Sequence, residues 1–281
     1  MISKGIQYML IATVCFALMN VFVKLISHIP PVEIVFFRSL VSFFMSYVML
    51  KSQNINIWGN RKPILISRGV VGAISLTIYF YTLQQIPLAS AITIQYLSPI
   101  FTAILGIFLL KEKVKPMQWL FFGISFFGVV MIQGFDVRVS LGLTLLGLTA
   151  AFFAGLAYNF VRMLSTTEHP LVIVFYFPLV TLPLAGIYCL FDWVNPIGWD
   201  WILLLMIGIL TQIAQLYMTK AYQLEQLSKV AGVKYLGIVF AIFFGLVIFG
   251  ETYALLAYFG MVLVLIGVGL NVWFKQKSSK V

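Results

Sequence analysis

Long apolar runs interrupted by few charges are the feature that most constrains this chain. Of its 281 residues, 62% are hydrophobic and only 9% are charged. A soluble domain carries about a quarter charged residues, so this chain cannot cover a water-exposed surface and its solvent is expected to be the lipid bilayer. Runs such as residues 121–132 do not alternate in polarity as β-barrel strands would. Because the backbone in lipid must satisfy its own hydrogen bonds, the sequence predicts an all-α membrane protein.

Apolar segments of membrane-spanning length recur along the whole chain. A helix needs about 20 apolar residues to cross the hydrocarbon core. Ten spans are predicted, at residues 5–26, 32–50, 65–86, 88–110, 116–133, 141–164, 170–191, 199–221, 227–249 and 253–274. The first is too long and too uniformly apolar for a signal-peptide core and is expected to remain as a membrane helix. The longest polar stretch is about residues 51–63, so no soluble domain is expected.

The distribution of lysine and arginine predicts the orientation of the spans. With the N-terminus inside, the inner segments hold most of these residues, and the outer loops hold little beyond Arg138. Cytoplasmic segments carry an excess of Lys and Arg, so both termini are expected in the cytoplasm. The net charge of +10 then reflects this topology and the attraction of anionic lipid. No soluble domain presents a basic face, so no nucleic-acid partner is expected.

The two halves of the chain are similar when the sequence is shifted by 139 positions, the separation of Asn20 and Asn159. The same shift aligns Gln84 with Gln223, Tyr96 with Tyr235, and Glu112 with Glu251. Each copy holds five spans, and because five is odd the second copy enters the membrane from the opposite side. The sequence thus predicts two inverted five-helix repeats, at residues 1–135 and 140–275, with a solute site between them. A duplicated membrane scaffold without transport is the alternative.

Polar residues within the spans mark the candidate substrate-binding site, because a polar group in lipid needs a partner or water. Lys234 either contacts an acidic solute, gates the cavity or extends to the cytoplasmic interface. Asn20 and Asn159 either bind a solute or join neighbouring helices. The candidate substrate-binding residues are Asn20, Gln95, Tyr96, Tyr158, Asn159, Gln215, Lys234 and Tyr235.

Other charged residues are expected to have structural roles. Arg38 is expected to pair with Glu33, five residues earlier, and Arg68 to anchor the third span at the membrane interface. Glu112 and Glu251 precede the fifth and tenth spans, where a carboxylate complements a helix N-terminus.

Small residues and one proline predict features of the backbone. Gly147, Ala151 and Gly155 form a line on the sixth span that favours close helix packing. Pro99 is expected to interrupt the fourth span, and the ninth span has no matching proline, so a proline break is not expected to be symmetric. Both cysteines lie in apolar spans without a CxxC pattern, and no disulfide, metal or cofactor is expected.

The order of several short motifs resembles the EamA-type branch of the drug/metabolite transporter superfamily. The motifs are Phe36-Phe37-Arg38, Arg68-Gly69, Pro87-Leu88-Ala89-Ser90-Ala91, Ser98-Pro99 followed by Lys111-Glu112, and Lys234-Tyr235-Leu236 followed by Gly250-Glu251. The resemblance covers essentially the whole chain. It implies a permease of the cell (inner) membrane whose central cavity is lined mainly by the first, third, fourth, sixth, eighth and ninth helices. Members of this branch move amino acids, nucleotide-like metabolites, S-adenosylmethionine or drugs.

The predicted function is secondary transport of a small organic metabolite, an amino acid or related compound, by alternating access. Uptake or exchange of a nucleotide-like metabolite such as S-adenosylmethionine, a channel and a scaffold are the alternatives. No HExxH or GxSxG motif occurs in the sequence, so an enzyme is not expected. No carboxylate is placed at mid-depth, which favours a facilitator or exchanger over a proton-driven pump. The expected partners are a small-molecule solute and the lipid bilayer, and formation of a homo-oligomer is left open.

Overall fold

A computed structural model of the protein describes residues 3–111, 114–224 and 233–278, and within these ranges it contains helices and no strand. The all-α prediction is confirmed for these residues. The helices are α1 (Lys4–Leu25), α2 (Pro31–Ser52), α3 (Lys62–Gln85), α4 (Leu88–Gln95), α5 (Ser98–Leu109), α6 (Pro116–Phe135), α7 (Leu141–Leu164), α8 (Pro170–Cys189), α9 (Asp200–Leu224), α10 (Leu236–Phe249) and α11 (Leu255–Ser278).

Nine segments of the described chain are long and apolar enough to cross a membrane. One of them, Leu88–Leu109, consists of α4 and α5 together. The shorter apolar helix α10 corresponds to the later part of the ninth predicted span, and residues 227–232 of that span lie outside the described ranges. Nine of the ten predicted spans are therefore confirmed by length and composition.

Local sequence signals explain where several helices begin. The Ser3 and Ser140 hydroxyls accept hydrogen bonds from the first turns of α1 and α7, which satisfies donors that have no partner within the helix. Proline is the first residue of α2, α6 and α8, where its missing N–H costs nothing and its fixed φ suits a helix.

The fourth span is interrupted, as Pro99 predicts. Helix α4 ends at Gln95, Tyr96 and Leu97 form a turn, and Pro99 lies in the first turn of α5. Proline lacks an N–H group and cannot continue the hydrogen-bond ladder of a preceding helix.

The ninth span has a similar interruption without a proline. Residues 233 and 234 are helical, Tyr235 is not, and α10 begins at the next residue. Ile238 donates to the Tyr235 carbonyl, three residues back. The Lys234 carbonyl instead accepts a hydrogen bond of 2.9 Å from the Tyr96 hydroxyl. The two interruptions therefore contact each other.

The helices pack in pairs that join the two halves of the chain. Helix α1 packs against α9, α3 against α7, α2 against α8, α6 against α11, and α4 against α10. Further contacts join α5 to α7, α1 to α10, α2 to α9 and α3 to α8. One large buried core runs through most of these contacts.

Glycines allow two of these pairs to approach closely. A Cβ atom at Gly155 of α7 would lie 2.8 Å from the backbone nitrogen of Thr102 in α5. A Cβ atom at Gly147 would lie 2.9 Å from the Ile94 side chain of α4. The small-residue line predicted on the sixth span therefore lies in the contact with the interrupted fourth span.

The linker between α2 and α3 is bound to the linker between α7 and α8. The buried Glu168 carboxylate accepts hydrogen bonds from the backbone N–H groups of Asn60, at 2.7 Å, and Arg61, at 2.6 Å. The Tyr176 hydroxyl of α8 donates to the Trp58 carbonyl at 2.6 Å. These contacts, which we call the linker latch, hold one end of α2, α3, α7 and α8 together.

Candidate functional site

A cavity of about 1440 Å³, counting the part that is open to solvent, lies between the two halves of the chain. Its walls come from α1, α3, α4, α7, α9 and the start of the α10 segment. These are the helices that the resemblance implies. Helices α2 and α8 also contribute, through Arg38, Ser42 and Phe177 among others.

Six of the eight predicted binding residues line this cavity, and two do not. The six are Asn20, Gln95, Tyr96, Tyr158, Gln215 and Lys234. Asn159 is fully buried elsewhere, and its Nδ2 atom donates to the carbonyls of Thr102 and Gly155, each at 3.0 Å. Tyr235 packs against Tyr96, with ring centroids 5.8 Å apart. Asn159 therefore joins α7 to α5, and Tyr235 lies beside the cavity lining.

The Lys234 ammonium is held between two aromatic rings of the cavity. Its Nζ atom lies 5.8 Å from the Tyr96 ring centroid and 5.9 Å from the Tyr158 ring centroid. Cations at this distance from an aromatic face are attracted by the ring quadrupole. Of the three roles that the sequence leaves open, this position favours a lining cation over a lysine that extends to the interface.

Two polar lining residues carry acceptors that are buried but unbonded within the described part of the chain. They are the Oδ1 atom of Asn20 and the Oε1 atom of Gln95. A buried polar atom without a partner is costly, which makes such atoms candidates for solute or water contacts.

Arg38 and Arg68, for which the sequence predicts other roles, also line the cavity. The guanidinium carbons of Arg38 and Arg68 lie 5.2 Å and 4.9 Å from the centroid of the same Phe177 ring. Arg38 is buried, and its Nε atom donates to the Thr211 hydroxyl at 3.1 Å. Both guanidinium groups therefore flank one aromatic side chain in the cavity wall.

These positions correct two predictions. The expected pair of Arg38 with Glu33 is wrong, because a Glu33 carboxylate oxygen instead accepts the Val194 N–H at 3.0 Å. The interface anchor expected of Arg68 is wrong too, because Arg68 lines the cavity. A signal was present in the sequence: Phe177 is the repeat equivalent of Arg38 under the 139-residue shift. Since α2 packs against α8, equivalent residues on these helices meet.

Among the described residues, the charged groups of the cavity lining are all positive. Arg38, Arg68 and Lys234 line the cavity, and no aspartate or glutamate does so among the described residues. No carboxylate in residues 3–111, 114–224 or 233–278 lies within 4.0 Å of either arginine. The cavity is therefore suited to an anionic group.

A group of polar contacts closes the opposite side of the protein. The Glu251 carboxylate lies 2.9 Å from the Lys24 ammonium and accepts hydrogen bonds from the Leu88 N–H, at 2.8 Å, and the Tyr253 hydroxyl, at 2.9 Å. Gly250 ends α10 with φ of 63°, a left-handed conformation that favours glycine and turns the chain at Glu251. We call these contacts the Glu251 clamp.

The clamp corrects the role expected of Glu251. This carboxylate satisfies the N-terminus of α4, where Pro87 precedes the free N–H of Leu88, rather than the N-terminus of the tenth span. The sequence places it next to the tenth span, but the turn at Gly250 directs it across the helix bundle. Glu112 lies outside the described residues.

Arg138 adds to this closed side. It donates to the Thr252 carbonyl at 2.6 Å and to the Asp136 carboxylate at 2.8 Å. The hydrogen bond to Asp136 raises the pKa of Arg138 above its usual value. Arg138 thus joins the linker between α6 and α7 to the loop that precedes α11.

The fold and the cavity define a multi-pass membrane protein of the transporter class. The family model of the EamA-like transporter family matches residues 3–134 and 141–273. The chain belongs to this family, which confirms the resemblance.

Three named relatives are similar over most of their length. The pseudopaline exporter CntI of Pseudomonas aeruginosa is 31% identical over 269 residues, which cover 95% of each chain. Human solute carrier family 35 member G1 is 27% identical, covering 98% of this chain and 81% of that one. The S-adenosylmethionine uptake transporter of Rickettsia prowazekii is 25% identical, with coverage of 88% and 85%. These names point to a membrane transporter rather than an enzyme.

A solved crystal structure shares the fold. It superposes with a TM-score of 0.67 at 15% sequence identity, covering 97% of this chain and 98% of the other.

Proposed function

We propose that this protein is a secondary transporter that moves a small organic metabolite across the cell (inner) membrane by alternating access. The observation that carries the proposal is a cavity lined by both halves of the chain and closed on one side by the Glu251 clamp. On α7 and α8 the lining residues lie toward the helix ends that the linker latch joins. A solute site reachable from one side at a time is what alternating access requires.

Two inverted repeats, at residues 1–135 and 140–275, would provide the second conformation. The contact of α1 with α9 becomes that of α7 with α3 when the halves are exchanged, and the contacts of α2 with α8 and of α6 with α11 map onto themselves. Lys111 and Gly250, 139 positions apart, both have left-handed backbones, with φ of 54° and 63°. The two matches of the family model, to residues 3–134 and 141–273, also support the repeats.

The orientation follows from the lysine and arginine asymmetry of the sequence. With both termini in the cytoplasm, the linker latch lies on the cytoplasmic side and the Glu251 clamp lies on the outer side. The cavity would then belong to an inward-facing conformation. Exchange of the two repeats would generate the outward-facing one.

An amino acid or related metabolite is the preferred solute. The relatives that carry pseudopaline or S-adenosylmethionine support a small organic compound. The three cations of the lining disfavour S-adenosylmethionine itself, because its sulfonium and ammonium groups give it a net positive charge.

Counterflow in proteoliposomes tests this function. Vesicles containing purified protein are preloaded with a compound that raises the melting temperature of the protein in detergent. We expect the labelled compound to accumulate transiently and saturably inside the vesicles. Collapsing the pH gradient should not abolish this accumulation. Flux without counterflow would indicate a channel, and no flux from folded protein would indicate a scaffold. Either result contradicts the proposal.

A further inference from the structure

We propose that Arg38 and Arg68, with Phe177 between them, form an anion subsite that acts together with Lys234 to select organic acids carrying at least two carboxylates. The inference rests on the proposed function, because it takes the cavity to be the solute site. It narrows the solute from amino acids and related compounds in general to those with a net negative charge.

The geometry leaves guanidinium donors without protein partners. The Nε and Nη1 atoms of Arg68 are buried and meet no hydrogen-bond acceptor among the described residues. Arg38 uses its Nε atom on Thr211. Guanidinium groups present several donors in a planar fork that matches a carboxylate. The subsite therefore has donor capacity that the described protein does not use.

The energies of the contacts made by Arg38 and Arg68 argue against a purely structural role for these arginines. A cation–π contact contributes about 0.5–2 kcal/mol, and each arginine has one with Phe177. Removing an ion from water in a protein interior costs several kcal/mol even after relaxation. Two like charges on the same ring also repel each other. An anion delivered by the solute would offset this deficit, whereas the aromatic ring alone does not.

The number of positive charges favours a solute with two anionic groups. No carboxylate of the described residues lies within 4.0 Å of Arg38 or Arg68. One carboxylate would therefore balance only one of the two guanidinium charges, and Lys234 adds a further positive charge to the same lining. A neutral amino acid would also place its ammonium group among three cations. A dicarboxylate avoids that repulsion and supplies one negative charge for each guanidinium group.

Binding measurements on the purified protein test the subsite without requiring transport. The probes are succinate, glutarate and adipate, with butyrate and glutaramide as monoanionic and neutral controls at constant ionic strength. We expect at least one dicarboxylate to raise the melting temperature of the wild-type protein more than either control. In Arg68→Gln its apparent Kd should rise about 10- to 150-fold, the range for hydrogen bonds to a charged group.

A matched variant and a ligand-free measurement separate the subsite from a structural role. Arg162→Gln removes an exposed arginine of α7 that does not line the cavity, and it should bind the dicarboxylate as the wild type does. Without ligand, Arg68→Gln should melt at the wild-type temperature or above it, because a buried charge with unused donors is lost. Equal responses of the wild type to dicarboxylate, butyrate and glutaramide overturn the proposal. The proposal is also overturned if the Arg68→Gln protein melts below the wild type without ligand but is still stabilised by the dicarboxylate as the wild type is. Binding without counterflow would count against the transport function alone.

Discussion

Replacement of Glu251 by glutamine is expected to release the closed side of the protein. The carboxylate has three partners there: the Lys24 ammonium, the Leu88 N–H and the Tyr253 hydroxyl. Glutamine keeps an oxygen that can accept from Leu88 or Tyr253, but it removes the charge that neutralises Lys24. The side chains of Lys24 and Glu251 are only 12% and 9% exposed, so water compensates little of this loss.

The magnitude follows from the burial of the pair. Removing one partner of a buried ion pair costs about 3–5 kcal/mol. Lys24 retains the Ile86 carbonyl at 2.5 Å, so the cost here should be lower, about 2–3 kcal/mol. If the clamp forms only in the conformation closed on this side, the equilibrium shifts toward opening by a factor of about 30 to 150.

Accessibility of the cavity from the outer side measures this shift. Ser42 lines the cavity and is nearly inaccessible in the closed conformation, so Ser42→Cys is a suitable reporter once Cys15 and Cys189 are replaced. A membrane-impermeant thiol reagent added outside right-side-out vesicles should label the Glu251→Gln protein much faster than its parent.

The double variant Lys24→Met with Glu251→Gln separates gating from damage to the fold. It removes the unpaired cation, so thermal stability should recover while outer labelling stays fast. Unchanged labelling of the folded Glu251→Gln protein would refute the role of the clamp as a gate.

Three further substitutions test packing and the cavity. Gly128→Ala should destabilise the protein by about 1–3 kcal/mol, because the new Cβ atom would lie 2.6 Å from the Gly260 carbonyl of α11; Gly123→Ala on the same helix meets open space and should leave the melting temperature unchanged. Asn159→Leu should lower the free energy of unfolding by about 1–2 kcal/mol, because its hydrogen bonds to Thr102 and Gly155 are lost. The solute Kd of the folded protein should stay unchanged, and a changed Kd would place Asn159 in the binding site. Lys234→Ala should reduce counterflow of an acidic solute more than it reduces the yield of folded protein, and equal counterflow per folded molecule would exclude Lys234 from the site.

Apolar run length predicted the spans because the bilayer thickness sets it directly. The helix ends differ from the predicted spans by a few residues. Helix α8 ends at Cys189 rather than at residue 191, and α9 continues to Leu224 rather than ending at residue 221. Hydropathy reports where lipid contacts the chain, whereas helix ends depend on hydrogen bonds and caps that lie in the interfacial region.

The candidate site was predicted less completely because it depends on which helices meet. Arg38 and Glu33 are close in sequence, but five residues on a helix do not share a face well. The ring that contacts Arg38 comes from Phe177, on a helix 139 positions away. For Asn159 the sequence left a solute contact and a bond between helices open, because only the packing of α7 against α5 places the Thr102 carbonyl next to its amide.

The linker latch has a mechanical consequence. Because Glu168 binds two consecutive N–H groups of the α2–α3 linker, the adjoining ends of α2, α3, α7 and α8 are tied together. A hinge on that side is therefore expected at the boundary between these four helices and the α1–α9 pair. A solute would then leave the cavity along that boundary, while the two joined linkers keep their positions.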